Sequence, residues 1–132
     1  METATIKQKI KFAATPNKIY KMLMDPKIVT KFTGGECKIS QKVKGKIEIF
    51  DGYCTGYNIV LDPGKLIIQA WHFEEKNWPA EHFSSCTFEL TKIEGGCQLE
   101  FIQERVPTES AASLKKGWTK YYWNPMKKML KP

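Results

Sequence analysis

Arginine is nearly absent from this sequence. Of its 21 basic residues all but Arg105 are lysine. Proteins that read nucleic-acid sequence lean on the planar guanidinium fork, and no basic–aromatic recognition motif is present. No nucleic-acid partner is expected. Histidine is scarce too, with only His72 and His82. The four cysteines, Cys37, Cys54, Cys86 and Cys97, include no Cys-x-x-Cys pair. A closed zinc site would therefore have to be assembled from scattered positions, and neither a metal nor any other cofactor is expected. The thiols read instead as reduced, small hydrophobes. No apolar run approaches the roughly 20 residues that span a bilayer. Residues 1–11 are polar and alternating, unlike a signal peptide. The expectation is a soluble, cytoplasmic protein with no membrane partner.

What is present suits one folded unit. A chain of 132 residues with 42% hydrophobic residues and four tryptophans can bury a real core, and a single domain over residues 1–132 is expected. The formal net charge of +7 is spread over scattered lysines, which reads mainly as a solvated surface. A weaker reading is long-range attraction to an acidic protein partner.

The last quarter of the chain organises the rest. After the Val106-Pro107 break, residues 108–130 read as one long helix, with Leu114, Trp118, Tyr121, Tyr122, Pro125 and Met129 as an apolar stripe at helical spacing. Pro125 is expected to bend it near Tyr121, whose carbonyl loses its donor. Opposite the stripe lie Lys115, Lys116, Lys120 and Lys127, the candidate partner surface, with Lys131 beyond.

Upstream, residues 5–12 alternate as a strand, with Ile6, Gln8, Ile10 and Phe12 on one face. Thr15-Pro16 and Asp25-Pro26 each supply an N-cap followed by proline at the first helical position, predicting two short helices, the second ended by Gly34-Gly35. Period two then takes over. Strands are predicted at 37–43 and 46–50, joined at Lys44-Gly45; at 53–61 after an Asp51-Gly52 hairpin turn; and at 66–73, 83–91 and 97–105. In the last hairpin, Cys86, Phe88 and Leu90 share a face with Cys97, Leu99 and Phe101. In the 53–61 strand, Tyr57, Ile59 and Leu61 compete with Asn58 and Val60 for the inner face. The predicted fold is α+β, a curved antiparallel sheet of about seven strands wrapped on the C-terminal helix.

Several segments carry a resemblance. They are Phe12-Ala13-Ala14-Thr15-Pro16 leading to Tyr20 and Asp25-Pro26; Phe50-Asp51-Gly52, Gly56 and Ile68-x-x-Trp71; Trp78-Pro79-Ala80-Glu81-His82-Phe83-Ser84; Val106-Pro107; and Gly117-Trp118-x-x-Tyr121-Tyr122-Trp123. Together they resemble the activator of heat-shock-protein-90 ATPase homologue family, within the birch-allergen-like (SRPBCC, START-related) superfamily. The resemblance covers residues 5–130 and implies a helix-grip fold. It also implies a likeness to the C-terminal domain of two-domain chaperone activators, and the expectation is a stand-alone member. His72 stands where the family usually carries arginine, so any contact made by that arginine is not carried over.

Candidate chemistry is sparse. Glu81-His82 has the residue types of an acid–base pair, but no nucleophile or oxyanion donor accompanies it, and the pair reads as part of a structural loop. Glu48, Glu100 and Glu104 read as solvated strand carboxylates. Gly34-Gly35 and Gly95-Gly96 lack the context of a phosphate loop and read as turns. The remaining default is an internal apolar pocket. Its candidate walls are Phe88, Leu90, Leu99 and Phe101 from the sheet, with Trp71, Trp118 and Tyr122. The reading adopted is a non-enzymatic domain binding a small apolar ligand between sheet and helix. The alternative is a co-chaperone-like interaction domain acting on a heat-shock-protein-90 chaperone. An enzyme is a third class, for which the sequence names no residues.

Overall fold

Local signals set the first third of the chain. A computed structural model describes residues 1–131. Strand β1 (Thr3–Phe12) leads into α1 (Pro16–Met24), where the Thr15 side chain accepts from the Lys18 N–H at 3.2 Å. Asp25 ends α1 and caps α2 (Pro26–Thr33), accepting from the Lys27 N–H at 2.9 Å. Gly34 closes α2 in the left-handed conformation, φ 86°. Both expected start signals and the expected stop are realised.

The strands that follow are β2 (Lys38–Ile39), β3 (Lys46–Ile49), β4 (Cys54–Asp62), β5 (Leu66–Phe73), β6 (Ser84–Ile93) and β7 (Gly96–Pro107). They form one antiparallel sheet in the order β1-β7-β6-β5-β4-β3-β2. The strand expected over 37–43 shrinks to two residues. Local hydrogen bonds win there: the Ser40 hydroxyl accepts from the Lys42 N–H, the Gly45 N–H reaches the Lys42 carbonyl, and Lys44 sits at φ 70°. The Asp51-Gly52 hairpin is also longer than a two-residue turn. Ile49 pairs with Cys54, and Phe50, Asp51 and Gly52 all adopt positive φ. In the last hairpin, Ile93 pairs with Gly96, and Phe88 and Leu90 stand directly opposite Phe101 and Leu99 on the buried face.

Strand β4 resolves the competition for its inner face by serving both sets. Cys54 and Asn58 point inward, and Asn58 is fully buried. The register with β5 then slips between Asn58 and Val60. Ile59 points outward by alternation, and the bulge then lets Leu61, rather than Val60, pack against the core. Period two holds on each side of it but not across it.

The C-terminal helix lies over the sheet as α3 (Thr108–Trp118), a π-helical segment (Thr119–Trp123) and α4 (Asn124–Met129). Where Pro125 is expected to bend the helix, the backbone forms a π turn: the Asn124 N–H donates to the Thr119 carbonyl, five residues back. One extra residue in a turn rotates everything after it by about 100°. The inner face therefore runs Leu114, Trp118, Tyr122, Trp123 and Met126. Tyr121 and Met129, expected inside, are each 40% exposed, and Pro125 is half-buried.

Inward glutamines and an asparagine make this core possible. A buried indole N–H needs an acceptor. Trp118 donates to Gln103 at 2.8 Å, Trp71 to Gln69 at 2.8 Å, and Trp123 to Gln8 at 2.8 Å. Gln69 in turn donates to Asn58 at 2.9 Å, and Gln103 to Ser84 at 3.0 Å. Among the described residues no buried side-chain polar atom is left without a partner. No helix of the described residues is long and apolar enough to cross a membrane.

Candidate functional site

The helix does not fill the sheet evenly. Over β6 and β7 it sets down Trp118 and Trp123, stacked 5.6 Å apart at 18°, with Phe101 4.4 Å from Trp118 and 5.3 Å from Trp123. Over the ends of β3, β4 and β5 it presents Ser113 and Gly117 instead. A β-carbon added at Gly117 would meet nothing within 4 Å. Small residues spaced by four lie on one helix face, and here they leave a cleft of ≈ 440 Å³, a volume within the range of small-molecule sites.

Ile49, Cys54, Trp71, Phe73, Leu114, Trp118 and Tyr122 form the buried floor and walls. Phe50, Tyr53, Glu75 and Tyr121 stand at the mouth. Phe50 and Asp51 both have φ 59°. A bulky residue in that region is strained by about 1–3 kcal/mol. The turn is held by reciprocal bonds: the Glu36 N–H to the Asp51 carboxylate and the Asp51 N–H to the Glu36 carbonyl, each 2.9 Å. The Phe50 ring also closes on Gly35, where a β-carbon would come within 2.9 Å of it. The Glu74 N–H donates to the Tyr53 carbonyl at 2.9 Å, tying the 74–82 loop to this turn. Burial, and then a hydrogen bond to Glu75, push the Tyr53 phenol well above its ordinary value. Burial likewise raises the Cys54 thiol and the Tyr122 phenol, so both stay neutral in the floor.

Of the residues expected to wall a pocket, the structure brings Trp71, Trp118 and Tyr122 to the cleft. Phe88, Leu90, Leu99 and Phe101 are not among its lining residues. Phe88 borders only a void of ≈ 10 Å³, and Leu90, Leu99 and Phe101 are solid core. The face was read correctly but the space was misplaced, because Trp118 and Trp123 fill the region over β6 and β7. The residues missed at the mouth were Phe50, Tyr53, Glu75 and Tyr121. The Phe50-Asp51-Gly52 run was their one signal, since a turn there carries the aromatic residues on either side of it.

The candidate partner lysines are all exposed. Lys120 alone among them lines a second groove, between α2 and α4, with Lys31 and Lys128 around Phe32, Pro125 and Met129. Lys115, Lys116 and Lys127 are not among its lining residues. Of the Glu81-His82 pair, Glu81 is exposed and His82 is bonded within the fold. The His82 ring nitrogen Nε2 lies 2.6 Å from the Arg105 carbonyl, and the His82 carbonyl accepts from Trp78 at 2.7 Å. His72 is buried, with Nδ1 3.0 Å from that same carbonyl and Nε2 3.2 Å from Glu74. It pins the Trp78 loop and does not line the cleft.

Comparison with known proteins places these features in a family. The family model described as "Activator of Hsp90 ATPase homolog 1-like protein" matches residues 13–131. The human "Activator of 90 kDa heat shock protein ATPase homolog 1" is 27% identical over 125 residues, 95% of this chain and 36% of the relative. A Dictyostelium discoideum homologue is 26% identical over 118 residues, 88% of this chain and 30% of its own length. The chain therefore spans about a third of the curated relatives' length. Among solved structures, an HSP90 activator from Plasmodium falciparum matches with TM-score 0.86 at 19% identity, covering 96% of this chain and 95% of that one. A Chromobacterium violaceum protein matches at TM-score 0.80 and 22% identity, covering 97% of each chain. At these identities the structural likeness speaks to the fold alone.

Proposed function

This chain belongs to the activator of Hsp90 ATPase homolog 1-like family, and within it we propose a non-enzymatic domain that binds a small apolar ligand in the cleft between sheet and C-terminal helix. The observation that carries this reading is the ≈ 440 Å³ cleft itself, floored by buried Trp71, Trp118 and Tyr122. Apolar surface left open to water costs free energy that a ligand would recover. The folded protein is expected to bind a solvatochromic apolar probe at about one-to-one stoichiometry. Saturating ligand then raises the melting temperature, since it binds only the native state. Raising the salt concentration changes this binding little, because buried apolar contact is not screened.

The second reading is a chaperone-interaction domain. It draws on the relatives named as activators of the 90 kDa heat shock protein ATPase and on the exposed lysines, to which the groove adds Lys31 and Lys128. On this reading, affinity for an acidic chaperone surface falls steeply with salt, as charges separated by more than a Debye length of about 10 Å at 0.1 M are screened, and ATP turnover changes on addition of the protein. Salt-sensitive stimulation of a chaperone ATPase, with no probe binding and no thermal shift from apolar ligands, would replace the first reading by the second.

A further inference from the structure

The cleft carries one charge, and its sign runs against the rest of the molecule. The chain has a formal net charge of +7, yet no lysine or arginine lines this cleft among the described residues. Glu75 is the one acidic side chain there. The mouth otherwise offers aromatic rings. Phe50 meets Tyr121 at 5.2 Å and 89°, and Tyr53 meets Phe73 at 5.8 Å and 82°. Rings set at right angles offer both faces and edges to the space they border, and ring faces attract cations, more strongly as water is removed. Tyr121 already shows this affinity, with the Lys120 Nζ 5.2 Å from its centroid.

Glu75 is half-buried and lines the cleft together with the Tyr53 phenol. A phenol is a neutral neighbour, so it does not cancel the carboxylate's charge. An anionic amphiphile, the ordinary guess for a basic protein, would have to set its head against that carboxylate. Lys120 reaches the Tyr121 ring but is exposed and does not line the cleft, and lysines farther off are screened beyond about 10 Å at 0.1 M salt, so the carboxylate within the cleft decides the sign inside.

Resting on the reading of this cleft as a ligand site, we propose that it selects a small hydrophobic cation, an aryl or alkyl ammonium. Its apolar body lies on Trp71 and Trp118, and its head sits among Phe50, Tyr53 and Tyr121, facing Glu75. No bond is made or broken, and the selectivity is electrostatic.

Isothermal titration at fixed ionic strength with three matched probes tests this. They are naphthylmethyl-trimethylammonium, its neutral isostere neopentylnaphthalene, and naphthylacetate. The cation is expected to bind roughly tenfold tighter than either, the scale of a desolvated cation–π contact. In Glu75→Gln the cation should lose most of its advantage over the neutral isostere, keeping only what the rings supply. Tyr121→Leu, at an exposed position, should weaken the cation in the same direction, with circular dichroism checking that both variants are folded. Equal binding of cation and neutral probe overturns the selectivity and leaves the apolar-ligand reading standing. Tightest binding of naphthylacetate overturns it as well, since the carboxylate would not be setting the sign. Binding of none of the three overturns both.

Discussion

Trp118→Ala is expected to lower the unfolding free energy by roughly 3–5 kcal/mol, the range for large buried aromatics. Trp118 is 4% exposed and sits at the centre of the aromatic core, 4.4 Å from Phe101, 4.7 Å from Tyr122 and 5.0 Å from Trp71 between ring centroids. Truncation opens a void that these rings cannot close without leaving their own partners. It also strips the Gln103 carbonyl oxygen of its indole donor, and a buried acceptor left unpaired costs about 1–3 kcal/mol. Lys116→Ala, two residues away on the exposed face, should stay within about 0.5 kcal/mol. Chemical denaturation of both variants decides the matter. Equal midpoints and slopes would mean that the helix does not grip the sheet through Trp118.

A glycine substitution should come close to that effect by the opposite route, overpacking. Gly56 lies in β4, paired with Ile47 on one side and Trp71 on the other. A β-carbon there would fall 1.7 Å from the Ala70 carbonyl oxygen and 2.8 Å from its carbon. These are backbone atoms of a paired strand, so no side-chain rotation can relieve the clash. Gly56→Ala is expected to cost roughly 3 kcal/mol, the upper part of the overpacking range. Gly117→Ala should do the reverse. Its β-carbon meets nothing within 4 Å, and alanine is favoured over glycine in a helix by about 0.8–1 kcal/mol, so this variant is expected to be stabilised. Thermal denaturation of the pair should move the two melting temperatures in opposite directions. An unchanged midpoint for Gly56→Ala would show that β4 and β5 do not approach so closely there.

The contrast between these two glycines separates what is local from what is not. Their one-letter code is the same, and only the neighbouring strand makes one of them indispensable. The amino-acid sequence by itself determined the elements whose causes lie within a few residues. Thr15-Pro16 and Asp25-Pro26 start helices because cap and ring geometry act on the next turn, and Gly34 stops one because it takes a positive φ at no steric cost. The alternation in β6 and β7 named Phe88, Leu90, Leu99 and Phe101 as inward-facing because side chains on a strand have a period of two. The family, too, was legible, since its aromatic and proline motifs keep their order along the chain.

Tertiary structure decided the rest. A single extra residue at the π segment exchanged Tyr121 and Met129 for Trp123 and Met126 on the helix's inner face. The bulge in β4 brought Leu61 to the core side, where unbroken alternation from Asn58 would have put Val60. Neither slip is encoded by propensity. Each fits bonds to distant residues: Trp123 to Gln8 across the sheet, and Asn58 to Gln69 on the next strand and to the Ser40 and Lys42 carbonyls. The cleft is the least local feature of all. It is the space left over where Ser113 and Gly117 fail to reach β3–β5 while Trp118 and Trp123 fill the ground above β6 and β7. A void is a difference between the volume the backbone encloses and the volume the side chains occupy, and no stretch of sequence contains both quantities.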